Sequence, residues 1–154
     1  MTRSKAHPLR AALPFVLIGV LALGGCAEYL PFSGGGLEGS VAANPASFEE
    51  IGRQKIVQLE TNPTEPYSVN LWVIGNQDSL YIFAGDSETT WVRHIAVDPN
   101  VRLKIGESIY ELAATRVTDA EEFEQFAQAW ESKYGNRPRN ENVEETWLLR
   151  LAAR

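Results

Sequence analysis

Cysteine and histidine are almost absent from this chain. Among its 154 residues there is one cysteine, Cys26, and there are two histidines, His7 and His94. A single thiol cannot form an intramolecular disulfide, and a zinc-type site needs more cysteine or histidine ligands than the chain supplies. The Asp-x-Asp loops of calcium sites and the Gly-x-Ser-x-Gly elbow of hydrolases are missing too. We therefore predict no metal site and assign no catalytic residue.

Basic residues are few, and three of the 14 come before the cysteine. Arg3, Lys5 and Arg10 make the first residues positive, whereas residues 11–25 contain no charged residue. A positive segment, a short apolar run and small residues before a cut site are the parts of a secretory signal peptide. The run is shorter than the roughly 20 residues that a membrane-spanning helix needs. Residues 1–25 are therefore predicted to be a signal peptide.

The cysteine follows two small residues, Gly24 and Gly25, at the end of the apolar run. This arrangement resembles a bacterial lipobox, and the resemblance implies that Cys26 is acylated and becomes the mature N-terminus. Two acyl chains anchor a protein stably, whereas one binds only marginally. The alternative is a signal-anchor helix with an incidental thiol. We expect a lipoprotein of the cell envelope, facing the periplasm from the outer membrane in a Gram-negative bacterium, with Cys26 as anchor and not as redox centre.

Positive charge is scarce in the remaining chain. Loss of the three basic residues of the signal peptide changes the formal net charge from −6 to −9. Such a surface opposes the phosphates of nucleic acids, so we expect no nucleic-acid partner. Residues 26–44 are rich in Gly and Ser, which predicts a flexible tether behind the lipidated cysteine. Residues 45–154 have the length of one domain.

Alternation of apolar and polar residues dominates that domain. Short runs with this period predict strands at 55–61, 67–75, 79–85, 101–106, 108–117 and 146–154. In the second run Tyr67, Val69, Leu71 and Val73 share one face. Strands this short favour a barrel or sandwich over a doubly wound sheet. The predicted fold class is mainly β with helices (α+β), a six-stranded antiparallel barrel.

Two helices are predicted from capping boxes. Ser47 to Glu50 opens a short helix that runs to about Gln54, and Thr118 to Glu121 opens a longer one. The second helix carries an apolar stripe at i, i+3, i+4, i+7 and i+11, and Gly135 follows as its C-terminal stop. Members of the stripe are Phe123, Phe126, Ala127, Trp130 and Tyr134.

One segment resembles a known family. Trp91, Ala96, Pro99, Val101 and Leu103 match a short Trp-containing helix that leads through an Ala-x-x-Pro-x-Val turn into a strand. Together with the order of elements, this resembles the flavin-binding split β-barrel (pyridoxamine-phosphate-oxidase-like) superfamily, and most closely its deazaflavin-dependent nitroreductase branch. The resemblance implies a six-stranded split barrel, FMN or a deazaflavin as cofactor, and a homodimer with sites between the subunits.

The resemblance also implies where a cofactor would bind. In these families hydroxyl and basic side chains and a Gly-rich basic turn hold the flavin phosphate, but the corresponding turn here, "TNPTEPYS", has Glu65 and no Lys, Arg or Gly. The remaining candidates for a cofactor or small anionic ligand are Ser87, Thr89, Thr90, Trp91 and Arg93. The alternative interpretation makes Ser87 an N-cap, Arg93 a solvated charge and Trp91 a core residue.

Two functions follow from the sequence. The first is a membrane-tethered envelope lipoprotein whose barrel has a non-catalytic role in ligand binding or structure. The missing phosphate turn and the predicted export signal favour it. The second is an FMN- or deazaflavin-dependent oxidoreductase of nitroreductase type, favoured by the resemblance and by the hydroxyl cluster around Arg93. For the non-catalytic lipoprotein we assign no cofactor.

Overall fold

The computed structural model describes residues 34–154. Cys26, the predicted signal peptide and residues 26–33 of the predicted tether lie outside the described residues. Within the described part, no helix is long and apolar enough to cross a membrane. The strands are β1 (Ser40–Val41), β2 (Ile56–Thr61), β3 (Tyr67–Gly75), β4 (Leu80–Phe83), β5 (Asn100–Ile105), β6 (Ser108–Arg116) and β7 (Leu148–Ala153), and the helices are α1 (Glu49–Gly52), α2 (Thr90–Val97) and α3 (Ala120–Tyr134).

Strands β2 to β7 form a closed antiparallel barrel. Around the barrel the order is β6-β5-β2-β3-β4-β7, and pairing of β7 with β6 closes it. Strand β1 lies outside and pairs in parallel with the first residues of β6. Closure leaves each of the six strands paired on both sides over part of its length, which removes free sheet edges. The predicted α+β fold with a six-stranded antiparallel barrel is confirmed.

The barrel interior is filled by the apolar positions of the alternating strands. Tyr67, Val69, Leu71 and Val73 share the inward face of β3, as the alternation predicts. Helix α2 closes one region of the barrel and adds its own apolar side chains to this core. The inward-facing residues that are at most 2% exposed include Val57, Leu59, Val73, Val101, Leu103 and Leu112.

Helix α3 packs on the outside of the barrel and makes a second core. Its predicted apolar stripe lies against outward residues of β3, β4 and β7, among them Ile74, Tyr81 and Leu148. The helix ends where Gly135 adopts a φ of 86°, a left-handed conformation that glycine takes without strain. Stripe and stop are both confirmed.

The start of α3 differs from the prediction by one residue. The N-cap is Asp119, whose carboxylate accepts a hydrogen bond of 2.8 Å from the backbone N–H of Glu122. The predicted capping box beginning at Thr118 is therefore wrong. Asp caps a helix as well as or better than Thr, and Asp119 has the extended backbone that an N-cap requires.

Helix α1 is shorter than predicted. It spans only Glu49–Gly52, and its N-cap position is Phe48, with no side-chain capping bond. Ser47 accepts a bond of 3.3 Å from the N–H of Glu49 instead of serving a capping box. The helix approaches β3 so closely that a Cβ on Gly52 would lie 2.4 Å from the Cα of Gly75.

Residues 34–44, named the strap below, lie across the outside of the barrel. Gly34 and Ser68 exchange two backbone hydrogen bonds, of 2.8 and 3.0 Å, at the start of β3. Farther along, the backbone N–H groups of Ser40 and Ala42 donate to carbonyls of the β5–β6 turn and of β6, at 2.8 and 2.9 Å. The strap is the C-terminal part of the predicted tether, and in the structure it packs on the barrel wall.

Candidate functional site

The predicted cofactor residues lie at the start of α2. Thr89 is the N-cap, with extended backbone, so the interpretation of Ser87 as the N-cap is wrong. Ser87 is exposed in the preceding loop, and its carbonyl accepts a bond of 2.9 Å from the N–H of Thr89. The Thr89 hydroxyl oxygen is buried without a partner among the described residues. Three hydroxyl groups thus gather at one helix start, but none of them forms a side-chain cap.

Arg93 joins this group through one contact in its own helix and one with the preceding loop. One guanidinium nitrogen donates to the carbonyl of Glu88 at 2.7 Å, and another donates to the hydroxyl of Thr90 at 3.1 Å. The side chain is exposed, so water screens its charge. Two of its donors are therefore committed to the chain, and an anion at this place would compete with them.

Trp91 does not share the surface of these residues. Its side chain is 4% exposed and belongs to the main barrel core with Val92 and Ile95. A ring in this position cannot stack on a ligand at the surface unless the core opens. The structure thus brings Ser87, Thr89, Thr90 and Arg93 together and places Trp91 apart from them, in the core.

His94 lies beside the end of β2. Its Nδ1 is 3.0 Å from the hydroxyl of Thr61, and its ring meets that of Tyr67 edge to face at 5.3 Å. The Thr61 hydroxyl also donates to the carbonyl of Tyr67 at 3.3 Å. Since a hydroxyl has one proton, Nδ1 of His94 is the donor when that bond is made. These contacts hold α2 against the barrel, and no cluster of three His, Cys, Asp or Glu suited to a metal occurs among residues 34–154.

The β2–β3 turn follows directly after Thr61. Asn62 adopts a φ of 57°, and its carbonyl accepts a bond of 3.1 Å from the N–H of Glu65. Thr64 donates to the Asn62 side chain at 3.1 Å. The turn therefore satisfies its polar groups internally, and its one charged side chain is an acid. It offers no positive charge to a phosphate.

An ion pair on the barrel wall was missed by sequence reasoning. Glu60 is 3% exposed although it lies on the outward side of β2, and Arg102 of the neighbouring strand donates to it at 2.8 Å. Leu37 of the strap donates its backbone N–H to the second carboxylate oxygen. The only signal in the sequence was an acid in one strand and a base in another, both at outward positions. It becomes informative only when the β2–β5 register is known.

Cavities near these residues are small. Four measure about 170 to 220 Å³, below the roughly 300 Å³ at which small-molecule pockets begin. One of about 190 Å³ lies over the Glu60–Arg102 pair and is lined mainly by charged and polar residues. Another of about 220 Å³ lies between α3 and the β3–β4 turn. None of the four reaches the hydroxyl groups at the start of α2.

Comparison with known proteins gives likeness in fold. No family model and no curated protein sequence matches the chain. A Listeria innocua protein, provisionally assigned as a pyridoxamine 5′-phosphate oxidase, is similar in structure, with a TM-score of 0.52 and 15% identity over 65% of this chain and 84% of its own. The heme storage protein HutZ of Vibrio cholerae has a TM-score of 0.49 and 16% identity over 68% and 87% of the two chains. An F420 reductase has a TM-score of 0.48 and 14% identity over 71% and 94%.

At such identities the likeness concerns architecture and not chemistry. The structural likeness to the Listeria innocua protein extends over 65% of this chain and 84% of that one. The chain therefore has the split β-barrel fold of the pyridoxamine-phosphate-oxidase-like, flavin-binding proteins, as the resemblance in its sequence predicted.

Proposed function

We propose that the protein is a membrane-tethered lipoprotein of the cell envelope whose split barrel has a non-catalytic, ligand-binding or structural role. The observation that carries this proposal is that the candidate cofactor residues Trp91 and Arg93 already make contacts within the folded chain. Trp91 is part of the core, and Arg93 donates to groups of its own helix and its preceding loop. Side chains engaged in this way stabilise the fold and leave little to hold a flavin.

Charge around the start of α2 supports the same conclusion. Asp86 and Glu88 are exposed in the loop before the helix, and Glu65 occupies the β2–β3 turn. A flavin phosphate carries negative charge and is held best by charge-assisted bonds from Arg, Lys or a helix start. These two segments carry three acids and one arginine, Arg93, whose guanidinium already bonds to Glu88 and Thr90. Binding of a phosphate here is therefore electrostatically unfavourable.

An oxidoreductase remains the second candidate, because one observation favours it. The fold is that of flavin-binding proteins, and three hydroxyl groups and one arginine gather at the start of a helix. In this function FMN or a deazaflavin would contact Ser87, Thr89, Thr90 and Arg93. A second subunit would complete the site.

Cofactor binding separates the two functions. The full chain is extracted in detergent from a lipoprotein-processing bacterium, and its absorbance and thermal unfolding are measured with and without FMN or a deazaflavin. We expect no bound chromophore and no shift in melting temperature for the natural protein or for Arg93→Ala. A melting-temperature shift in the natural protein, together with an affinity for the cofactor that Arg93→Ala lowers tenfold to a hundredfold, establishes the oxidoreductase site instead. That loss of affinity corresponds to about 1.5–3 kcal/mol for one charge-assisted bond.

Lipid attachment is tested separately. In the same bacterium, radiolabelled palmitate should label the natural protein, whereas Cys26→Ser should carry no label and keep its signal peptide. The barrel should fold in both, because no other cysteine exists that could pair with Cys26. Equal labelling of Cys26→Ser would overturn the lipoprotein proposal.

A further inference from the structure

We propose that the strap is a clasp, locked by Glu60, that holds the barrel with its β2–β3 turn toward the membrane. This inference rests on the proposed lipid anchor at Cys26. The clasp itself is described by contacts between the strap and the barrel. Its consequence for orientation follows from the short length of chain between the anchor and the first of those contacts.

Glu60 is the centre of the clasp. The carboxylate is 3% exposed, with Arg102 on one oxygen and the backbone N–H of Leu37 on the other. A buried carboxylate needs both charge pairing and hydrogen bonds to offset its lost hydration. Arg102 supplies the charge, and the strap supplies a hydrogen bond from the backbone N–H of Leu37. Release of the strap would leave this carboxylate with one of these two partners.

A second contact secures the far end of the strap. Ile109 pairs across β5–β6 with Lys104, so its side chain belongs to the outward face, yet it is fully buried. A Cβ on Gly39 would lie 3.2 Å from the Ile109 side chain and 2.7 Å from the carbonyl oxygen of Glu107. Gly39 also has a φ of 155°, which side chains rarely adopt. The strap therefore covers an apolar side chain of the wall at a point where only glycine fits.

The first contact of the strap favours one orientation. Gly34 pairs with Ser68 at the start of β3, beside the β2–β3 turn. Gly34 lies eight positions after Cys26 in the sequence, and a chain extends at most about 3.5 Å per position, which gives roughly 28 Å. Strand β3 runs from Tyr67 to Gly75, a length of about 30 Å. With the clasp closed, the opposite orientation, with the end of β3 at the anchor, would require this chain to be almost fully extended, which costs conformational entropy. The orientation with the start of β3 nearer the anchor needs no such extension and is therefore favoured.

An open clasp would remove this constraint. The chain would then be free from Cys26 to about Pro45, and 19 residues extend to roughly 65 Å. That reach exceeds the length of the barrel strands, so either end could face the bilayer. Strap closure thus favours one orientation, and Glu60 and Gly39 act by keeping the strap closed.

Amide hydrogen exchange of the full chain in detergent tests the clasp. Gly39→Ala places a methyl group against the Glu107 carbonyl, whereas Gly35→Ala, the matched control, meets nothing within 4 Å. We expect the amides of Ser40 and Ala42 to exchange at least about tenfold faster in Gly39→Ala than in the control, with the amide of Leu59 unchanged. Glu60→Gln, which keeps the side-chain volume, should accelerate the Leu37 amide in the same way. Equal exchange in all three proteins overturns the clasp.

Fluorescence transfer tests the orientation. Acylated Cys26 has no free thiol, so Glu65→Cys or Asp78→Cys gives one dye site at either end of β3 in full-length protein reconstituted into phosphatidylcholine vesicles that carry a headgroup acceptor. We expect transfer about twofold or more stronger from position 65, and a loss of this difference when Gly39→Ala is added. Equal transfer from both positions in the acylated protein overturns the orientation while the lipoprotein proposal stands. Absence of palmitate label overturns that proposal, and the exchange experiment still decides on the clasp.

Discussion

At the scale of single residues, Lys133 links three parts of the fold. Its ammonium donates to the carbonyls of Gly52, Gln54 and Val73, which belong to the end of α1, the chain before β2, and β3. Burial lowers the pKa of Lys133 because the charged form loses hydration. The three carbonyls compensate for part of this loss. A cation near the end of α3 thus fastens short α1 to the barrel.

Replacement of this lysine should weaken the whole domain. Lys133→Met keeps the apolar stem and removes the ammonium donor from all three carbonyls, although the Val73 carbonyl still accepts from the hydroxyl of Tyr134 at 2.8 Å. We therefore expect a loss of about 1.5–3 kcal/mol in the free energy of unfolding. Lys55→Met, at an exposed lysine of the same region, should change it by less than about 0.5 kcal/mol. Urea unfolding followed by tryptophan fluorescence measures both. Equal effects of the two variants would show that the carbonyl contacts add nothing.

Tyr81 should make stability depend on alkaline pH. Its hydroxyl donates to Glu122 at 2.9 Å, and burial, followed by Glu122, raises the Tyr81 pKa above its usual 10.0. Between the unfolded and folded pKa values, the folded state keeps a proton that the unfolded state has lost. This contribution is therefore complete below pH 10 and is lost as the pH rises through the folded pKa.

Tyr81→Phe removes that titration. We expect the stability of the natural protein to fall more steeply between pH 10 and higher values than that of Tyr81→Phe, in urea unfolding at a series of pH values. At pH 7 the variant should be less stable by about 1–2 kcal/mol, because the bond to Glu122 is gone. Parallel pH profiles above pH 10 would contradict this assignment.

At the scale of elements, α3 shows how a helix start is decided by one side chain. Asp119 accepts from the N–H of Glu122, and Thr118 is exposed just outside the helix. Two acids, Glu121 and Glu122, lie in the first turn, where the helix dipole favours them. Arg150 on β7 then binds Glu122 at 2.9 Å, so the helix start is fixed to the barrel.

Capping variants should distinguish the observed start from the predicted one. Asp119→Ala should reduce the free energy of unfolding by about 1 kcal/mol, because one N–H of the first turn loses its acceptor. Thr118→Ala should have almost no effect. Thermal unfolding of both variants is the measurement. A larger loss of stability in Thr118→Ala than in Asp119→Ala would support Thr118 as the N-cap, as the sequence suggests.

The sequence predicts the strands well because apolar and polar residues alternate clearly in several of them. Tyr67 to Val73 is an example, since a shift by one residue would put its apolar row into water. The caps of α1 and α3 are less predictable, because Ser47, Thr118 and Asp119 are all suitable cap residues and neighbouring packing selects among them. The strap was interpreted as tether, because it bonds to the barrel mainly through its own backbone groups, which leave no side-chain pattern in the sequence.

The candidate site was predicted in part. Ser87, Thr89, Thr90 and Arg93 do lie together, because one short helix and its preceding loop carry all of them. The Glu60–Arg102 pair could not be foreseen, since it depends on the register of β2 with β5, strands that are far apart in sequence. Trp91 faces the core because it lies on the apolar side of α2 with Val92 and Ile95.

At the scale of the whole molecule, the barrel wall is covered on two sides by different means. Helix α3 covers β3, β4 and β7 through an apolar second core, and the strap contacts β2, the start of β3 and β6 through backbone bonds and the buried Glu60. The homodimer implied by the family resemblance stays a prediction. Light scattering of the detergent-extracted protein at micromolar concentration tests it, and a monomer would also speak against a flavin site between subunits.

The central claim is a lipid-anchored barrel without a flavin, and native mass spectrometry of the protein extracted from bacterial membranes tests both parts together. We predict a chain that begins at Cys26, carries the added mass of its acyl groups, and shows no added flavin or deazaflavin. A chain that still contains residues 1–25, or one that retains a stoichiometric flavin after extraction, would contradict the account.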